Sequence, residues 1–372
     1  MFLLMYPSRI IFGRGVIKEL GKELSSLGKK ALLVTGRSSM RKTGILDRIT
    51  GVIKQEGISL DFFDRVEHDP CLETVNQGIK IARIKKSDVV IGLGGGSAMD
   101  AAKAIASLAR QSGTIWEYYV GKKIEKEGLP FVAIPTTAGT GAEITNNSVL
   151  TDRKVSLKKS IRSPYMIARA ALVDPELTLF LPSQVTAYTG MDAFTQALES
   201  YVTRTPNPIT DTLALQAIEI IFQNLPQAVA NGKDAEIREK MALGSLLSAM
   251  AFSNSGLGAV HGLAHPIGAR FGVPHGLACA ILLPYVIGFN LISRPEKFTQ
   301  IAKKIGVKRV EDLPNAIKRF LERIGLPLNF RPYGITESHF PSIIAESRSS
   351  SMSKNPQEAS DEDLREILKW VV

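Results

Sequence analysis

Three of the five histidines in this 372-residue chain lie within fifteen positions, at His261, His265 and His275. His261 and His265 are four residues apart, so in a helix they share one face. Pro274 and Gly276 predict a bend at His275 before the next helix, which allows its ring to turn back toward the other two. Imidazole binds metal ions and transfers protons near neutral pH. The cluster therefore indicates a metal site or an acid–base site rather than three separate structural histidines.

A divalent metal needs a carboxylate beside the imidazoles, and residues 190–199 contain the best candidate. Asp192 lies there in an apolar helical stretch, and Gln196 follows one turn later on the same face. Gly262 stands where a zinc protease of the H-E-x-x-H type needs a glutamate base, so that hydrolytic chemistry is disfavoured. The residues alone leave open whether Asp192 meets His261.

Two turns in the first half of the chain are rich in hydrogen-bond donors. The apolar run 89–92 leads into a glycine cluster at 94–96 and then into a helix-forming segment, an order that suits a phosphate. Ser97 stands at the third glycine position of the G-x-G-x-x-G fingerprint, so this turn has a different design. The second turn, at 134–145, offers threonine hydroxyls. Ligands bind where parallel strands end, so the two turns together predict a nucleotide.

The elements that would position these residues differ between the two halves. In the first half, short apolar runs alternate with helical segments, which is typical of βα units and a parallel sheet. Strands are predicted at 31–35, 59–63, 89–92, 131–135 and 171–173, and helices at 15–27, 44–56, 73–85 and 98–109. Later stretches predict helices at 184–203, 210–224, 235–253, 277–290, 313–324 and 361–370. We therefore predict an α/β domain over residues 1–182 and an all-helical domain over residues 183–372.

Composition limits the class of protein further. With 44% hydrophobic and 22% charged residues, the chain is neither disordered nor collagen-like. No window approaches the roughly 18 unbroken apolar residues of a membrane span, and Met1–Tyr6 is far too short for a secretory signal, so we expect no membrane partner and a cytoplasmic location. Neither Cys71 nor Cys279 falls in a ligand motif, so the metal chemistry is expected to rest on aspartate and histidine.

The net charge of +10 is unevenly distributed. Residues 1–182 carry 27 Lys and Arg against 18 Asp and Glu, whereas residues 183–372 carry 19 against 18. A basic half can attract a polyanion, but no aromatic-interleaved basic stripe or nucleic-acid motif is present. A small phosphorylated ligand is therefore expected, and no nucleic-acid partner.

These motifs together resemble the iron-containing, or group III, alcohol dehydrogenase family. The resemblance covers essentially the whole chain and rests on four ordered segments: 94–97 with Asp100 and Lys103, 136–145, 190–199 and 261–276. It implies a Rossmann-like dinucleotide-binding domain followed by an all-α metal- and substrate-binding domain, the architecture shared with dehydroquinate synthase. It also implies a homodimer that transfers hydride between NAD(P)(H) and a small alcohol or aldehyde.

Carried over by position, Asp192, His261 and His275 match family metal ligands, whereas Gln196 stands where the iron enzymes have histidine. Three readings follow: a zinc site of three ligands with an open water position, as in the related glycerol dehydrogenases; iron with Gln196 as a weak fourth ligand; or little or no metal. We expect a bound divalent metal, iron or zinc. His265 is the candidate for relaying the substrate proton, and His275 is counted with it as catalytic.

Cofactor preference rests on the end of the second strand. NAD-preferring members have aspartate at the position of Gly36, where it repels a 2′-phosphate. Gly36 leaves that space open and Arg37 and Ser38 could supply donors, so we predict NADP(H), with NAD(H) as the alternative. Lys158 matches a family cofactor-binding lysine, although residues 154–162 could simply be a solvated basic loop, and Asp69 falls where many members have asparagine. The other predicted cofactor residues are Gly95, Gly96, Ser97, Asp100, Thr136, Thr137, Thr140 and Thr145.

Other functions remain open at this point. Gln196 prompts a polyol dehydrogenase-like zinc enzyme or a metal-independent oxo-acid reductase. A non-redox lyase resembling dehydroquinate synthase would share the architecture, but the run 192–196 and the lack of a dense basic set in the second half speak against it. A nucleotide-binding regulatory protein without catalysis is the remaining alternative.

Overall fold

The computed structural model describes residues 1–155 and 157–372. Its backbone packing divides the chain into two compact units. The α/β unit consists of Leu4–Thr137 and Gly141–Phe180, and the helical unit consists of Met1–Leu3, Ala138–Thr140 and Leu181–Val372. The main change of unit therefore follows Phe180, and part of the second donor-rich turn belongs to the helical unit.

Six strands of the α/β unit form a parallel sheet, and two more form an antiparallel hairpin. The strands are β1 (Arg9–Phe12), β2 (Lys30–Gly36), β3 (Ser59–Val66), β4 (Val89–Gly94), β5 (Phe131–Pro135), β6 (Asn147–Asp152), β7 (Leu157–Arg162) and β8 (Ala170–Val173). The order across the sheet is β1-β8-β5-β4-β2-β3, and every neighbouring pair is parallel. The predicted α/β class with a parallel sheet is confirmed.

The chain reverses its direction of travel across this sheet between β2 and β4. From β2 it moves outward to β3 at one edge, and then β4 and β5 follow on the other side of β2. The carboxyl ends of β2 and β4 adjoin at this switch point, where Thr35 is in register with Leu93. Such a switch point is the usual ligand crevice of an open parallel sheet.

The helices of this unit are α1 (Leu20–Ser25), α2 (Ser39–Lys42), α3 (Ile45–Gln55), α4 (Leu72–Ile84), α5 (Gly96–Leu108) and α6 (Ile115–Tyr119). Strand β4 is buried along its whole length, as a central parallel strand covered on both faces must be. Helix α5, which follows it directly, is rich in alanine and buried over most of its length. The order of β4, glycine turn and α5 therefore matches the prediction.

The helical unit contains nine α-helices among the described residues. They are α7 (Ser183–Val202), α8 (Pro208–Ala230), α9 (Ala235–Ser255), α10 (Ala259–Phe271), α11 (His275–Asn290), α12 (Pro295–Lys304), α13 (Leu313–Arg323), α14 (Phe340–Ser347) and α15 (Asp361–Lys369). Their starts follow local chemistry. Asn207 caps α8 ahead of Pro208, and the carboxylate of Asp234 accepts from two N–H groups at the start of α9.

Helix α11 is the apolar centre of this unit. Residues His275–Ser293 are long and apolar enough to cross a membrane by length and composition, but 67% of that stretch is buried inside the protein. A helix that is apolar on every side is typical of a core helix. Helices α7, α10 and α13 all pack against α11.

Candidate functional site

Helix α7 carries three buried side chains with amide or carboxylate groups on one face. Asp192, Gln196 and Glu199 follow one another at helical spacing, and all three are buried. Buried polar groups need partners, because burying an unpaired carboxylate or amide costs free energy. The partners of the two carboxylates come from α10 and α11.

A close approach between α7 and α11 sets the position of His275, the first residue of α11. A Cβ atom on Gly276 would lie 2.0 Å from the backbone oxygen of Tyr188, which is one turn before Asp192 on α7. Only glycine therefore allows the first turn of α11 to reach α7. Pro274 caps α11, which agrees with the predicted bend at His275.

Four potential ligand atoms converge at this point of the helical unit. Asp192 Oδ1 lies 3.3 Å from His261 Nε2 and 3.8 Å from His275 Nε2. Cys279 Sγ lies 3.8 Å from His275 Nε2, and the ligand atoms of all four residues lie within 4.8 Å of one another. The structure thus brings together the three residues that the resemblance implied as ligands, and it adds a thiol.

The sequence predicted metal chemistry from aspartate and histidine alone, and the structure also places Cys279 in this cluster. Cys279 follows His275 by four residues on α11, so the two side chains lie on the same face of the helix. The same spacing drew attention to His261 and His265, and it was the signal that could have found Cys279. Cys71 precedes α4 in the α/β unit.

His261 lies between two carboxylates. Its Nδ1–H donates to Glu199 Oε2 at 2.6 Å, and Glu199 Oε1 accepts from the Val260 N–H at 2.7 Å. Sequence reasoning missed this role of Glu199. Burial opposes protonation of His261, but the adjacent Cys279 and Glu199 and the hydrogen bond to Asp192 outweigh it and raise its pKa well above the ordinary value. The groups around the ring therefore favour a positive charge here, either on the imidazole itself or on a bound cation.

The donor set fits a divalent metal ion. When the His261 imidazole is neutral, its single N–H is at Nδ1 and donates to Glu199. The lone pair of Nε2 then faces the Asp192 carboxylate, and neither group can donate to the other. Among the described residues, the buried Gln196 Oε1 also has no hydrogen-bond donor. A cation among Asp192, His261 and His275 would satisfy the unmatched acceptors Nε2 and Oδ1, and Glu199 would fix the imidazole as carboxylates commonly do beside metals.

His265 lies beside the cluster without joining it. Its ring centroid is 5.1 Å from that of His275, with the rings nearly parallel, and 6.5 Å from that of His261. This position is compatible with the predicted proton relay. That role remains a prediction.

In the α/β unit, the glycine turn and the threonine turn lie side by side. Gly94 has a φ of 145°, a conformation that favours glycine, and the N–H of Thr136 donates to its carbonyl oxygen at 2.9 Å. Gly95 caps α5, and the side chain of Thr137 packs over it. The first turn of α5, at Gly96 and Ser97, therefore presents N–H groups suited to a phosphate.

Asp69 and Lys158 form one cluster next to that turn. Lys158 Nζ on β7 donates to Asp69 Oδ1 at 2.5 Å, and the Asp69 N–H donates to Ser97 Oγ at 3.3 Å. Burial alone would raise the pKa of Asp69, but the hydrogen bond from His68 and the charge of Lys158 outweigh it and hold the pKa well below its usual range. Residues 157–162 form strand β7, so the interpretation of this stretch as a loop is wrong for them.

Lys103 braces the second turn from α5. Its buried Nζ donates to the Thr145 hydroxyl at 2.8 Å, to the Thr145 carbonyl at 3.1 Å and to the Asn147 carbonyl at 2.7 Å. Burial raises the pKa of Asp100 to about 6 although Lys103 lies nearby, and it raises the pKa of Glu143 to about 7. The Thr145 hydroxyl is thus already used within the protein, and its predicted cofactor contact stays a prediction.

The remaining predicted cofactor residues lie at two other places. Gly36 ends β2, and Arg37 and Ser38 follow it as exposed residues at the switch point of the sheet. A Cβ on Gly36 would lie 3.6 Å from the nearest heavy atom outside its chain neighbours, an ordinary contact with Val66 O. Thr140 belongs to the helical unit, apart from the other threonines of its turn.

Residues 7–175 match the family model described as iron-containing alcohol dehydrogenase, and residues 186–372 match that of the C-terminal part of the Fe-containing alcohol dehydrogenase family. The NAD-dependent methanol dehydrogenase of Bacillus methanolicus is 34% identical, over 98% of this chain and 98% of its own. The chain belongs to the iron-containing alcohol dehydrogenase family.

Other relatives within this iron-containing alcohol dehydrogenase family agree. The NADPH-dependent butanol dehydrogenase of Clostridium saccharobutylicum is 37% identical, over 98% of this chain and 96% of its own. A crystal structure of 1,3-propanediol oxidoreductase superposes with a TM-score of 0.96 at 37% identity and covers 100% of both chains. The resemblance, the fold class and the assignment as an NAD(P)-dependent oxidoreductase acting on alcohols or aldehydes with a divalent metal are confirmed.

Proposed function

We propose that this enzyme transfers hydride reversibly between NADP(H) and a small uncharged alcohol or aldehyde, with a divalent metal held by Asp192, His261 and His275. The observation that carries the proposal is the convergence of these three side chains in the helical unit, where Asp192 and His261 are buried and His275 is partly exposed. The buried Gln196 Oε1, which has no donor among the described residues, supports a cation there.

Each residue of the site has a separate task in this proposal. A bound divalent ion supplies Lewis-acid stabilisation of negative charge on the substrate oxygen, and the nicotinamide accepts or supplies the hydride. Asp192, His261 and His275 hold that ion, and Glu199 fixes the orientation and tautomer of His261. His265 takes the hydroxyl proton during oxidation and returns it during reduction, which makes it the acid–base residue.

The preference for NADP(H) is supported by Gly36 and its neighbours. The known relatives use either cofactor, since one is named NAD-dependent and another NADPH-dependent, so family membership does not decide. Gly36 leaves room beside the ribose and brings no negative charge, and Arg37 can pair with a 2′-phosphate. Lys158, paired with Asp69 near the α5 turn, adds positive charge to the same unit.

We also propose a partner, an oligomeric state and a cellular location for the enzyme. Its partner is a small alcohol or aldehyde rather than a nucleic acid or a membrane, and it works as a homodimer in the cytoplasm. The two buried free cysteines support a reducing compartment, since no disulfide joins them.

Elemental analysis combined with turnover tests the metal and the proton relay in one experiment. Protein purified without chelator is expected to hold about one zinc or iron ion per chain, and chelator dialysis should abolish alcohol-dependent NADP reduction until metal returns. His261→Ala should lose both metal and turnover. His265→Ala is the matched comparison on the same helix, and it should lose turnover while keeping its metal.

Two results would overturn these assignments. A metal-free protein with full activity would remove the metal from the mechanism. Loss of metal in His265→Ala would reassign that residue as a ligand.

A further inference from the structure

We infer that Cys279, as a thiolate, binds the metal beside Asp192, His261 and His275 and is the strong fourth donor that the neutral amide oxygen of Gln196 cannot supply. This inference deepens the proposed function and rests on its metal site. The resemblance puts histidine at position 196 in the iron enzymes, so this chain lacks one imidazole. The thiol of Cys279 lies within 4.8 Å of the other three ligand atoms.

Three of the distances between the donor atoms are close to those expected around a four-coordinate metal ion with tetrahedral angles. Bonds of about 2.0–2.1 Å to nitrogen or oxygen and about 2.3 Å to sulfur separate two N or O donors by roughly 3.3 Å and N from S by roughly 3.6 Å. The structure has 3.3 Å between Asp192 Oδ1 and His261 Nε2. It has 3.8 Å between Asp192 Oδ1 and His275 Nε2, and 3.8 Å between His275 Nε2 and Cys279 Sγ.

The surroundings of Cys279 differ from those of an ordinary core cysteine. A buried thiol commonly packs as a small apolar group. Cys279 is fully buried, yet its sulfur lies against the imidazole of His275 and within reach of Asp192 and His261. Gln196 is an independent sign of the same ion, because its buried amide oxygen, one turn after Asp192, has no donor within residues 1–155 and 157–372.

A thiolate ligand changes which metal the site prefers. Thiolate is a soft donor that zinc binds well, and zinc exceeds ferrous iron in affinity for such sites. Replacing one imidazole of an iron site by Cys279 therefore shifts the preference of this enzyme from iron toward zinc.

Cobalt substitution tests the sulfur bond directly. Cobalt(II) bound by a thiolate shows an intense near-ultraviolet charge-transfer band, whereas nitrogen and oxygen ligands alone do not give it. The full chain is freed of metal, reloaded with one equivalent of Co²⁺ and scanned. We expect the band in the wild type and in Cys71→Ser, where Cys279 is the one remaining cysteine of the chain.

Variants at Cys279 complete the test. Cys279→Ser and Cys279→Ala should lose the band while still binding cobalt, with affinity lower by at least about tenfold. If either Cys279 variant fails to fold, the charge-transfer band of Cys71→Ser still assigns the sulfur ligand, because that protein has no cysteine other than Cys279. When zinc and ferrous iron compete for the metal-free wild type, zinc should displace the iron. The ratio of zinc affinity to iron affinity should be smaller in Cys279→Ser.

The outcomes separate the two proposals. Stoichiometric cobalt without the band in the wild type, or a band that persists in Cys279→Ser, overturns the thiolate ligand and leaves the metal-dependent function intact. A wild type that binds neither cobalt nor zinc, yet oxidises alcohols at full rate, overturns both.

Discussion

Gly36 ends β2 at the point where the sheet changes direction, and its lack of a side chain has a chemical consequence. An aspartate here would hydrogen-bond a ribose hydroxyl and repel a 2′-phosphate. The backbone accepts such a side chain, because a Cβ on Gly36 would make only an ordinary contact with Val66 O. The choice between the two cofactors is therefore open to a single substitution.

Gly36→Asp should lower kcat/KM for NADPH by at least about tenfold, since a carboxylate would face the 2′-phosphate, while NADH use is kept or improved. Gly36→Ala is the matched control, because it adds a Cβ without charge and should keep the wild-type preference. Initial rates with both cofactors measure this. Equal or better use of NADH by the wild type would contradict the preference for NADP(H).

Single residues of the metal cluster were predictable where chemistry and spacing coincide. Asp192 and the histidines carry ligand chemistry at helical spacing, so the sequence brought them to notice. Glu199 stands among several other polar residues of α7, and the sequence does not say which of them meets another helix. Cys279 shares the four-residue spacing with His275, but that spacing alone does not distinguish a ligand from a buried core thiol. Their positions became visible only once α7, α10 and α11 were packed together.

At the scale of elements, the contact between α7 and α11 decides whether the metal residues meet. The first turn of α11 lies against the backbone of Tyr188 at Gly276. Any side chain at position 276 must push α11 away from α7. His275 and Cys279 would move with α11, while Asp192 stays on α7.

Gly276→Ala should therefore lose metal affinity and also cost about 1–3 kcal/mol of stability, the usual range for an overpacked core. Gly288→Ala is the control on the same helix, because its Cβ would lie 3.9 Å from Pro314 and the position is exposed. It should keep the metal and gain up to about 1 kcal/mol. Metal content and chemical denaturation measure both effects. A Gly276→Ala protein with wild-type metal content would contradict this role of the contact.

Strands with a continuous run of apolar residues were predictable from the sequence, whereas strands without such a run were not. The five predicted strands and the glycine turn lie where expected, because buried parallel strands are continuous apolar runs. The hairpin of β6 and β7 was not predicted, since β7 buries only Ile161 and its other residues are an exposed leucine and four polar or charged residues. Strand β1, at the edge of the sheet, has no fully buried residue.

The charge of the whole molecule follows its division into two units. The excess of basic residues falls in 1–182, which includes the predicted phosphate turns, whereas residues 183–372 are nearly neutral. A nearly neutral helical unit suits an uncharged substrate, and a basic α/β unit suits a phosphorylated cofactor. The sequence alone revealed this asymmetry, because charge counts do not depend on packing.

The proposed homodimer is tested at the scale of the whole molecule. Sedimentation equilibrium at micromolar concentration should give a mass near twice the 40.5 kDa of the chain. Because dimers form by mass action, dilution should shift the distribution toward the monomer. A single species at the monomer mass over the whole concentration range would contradict a dimer.

Helix α11 is at once the apolar centre of the helical unit and the element that carries His275 and Cys279. If these residues hold the ion as proposed, its loss would loosen the same helix on which the helical unit is built. In a cell, chains deprived of metal would be the ones that proteases remove first. The supply of metal would then govern the lifetime and abundance of the enzyme as well as its rate.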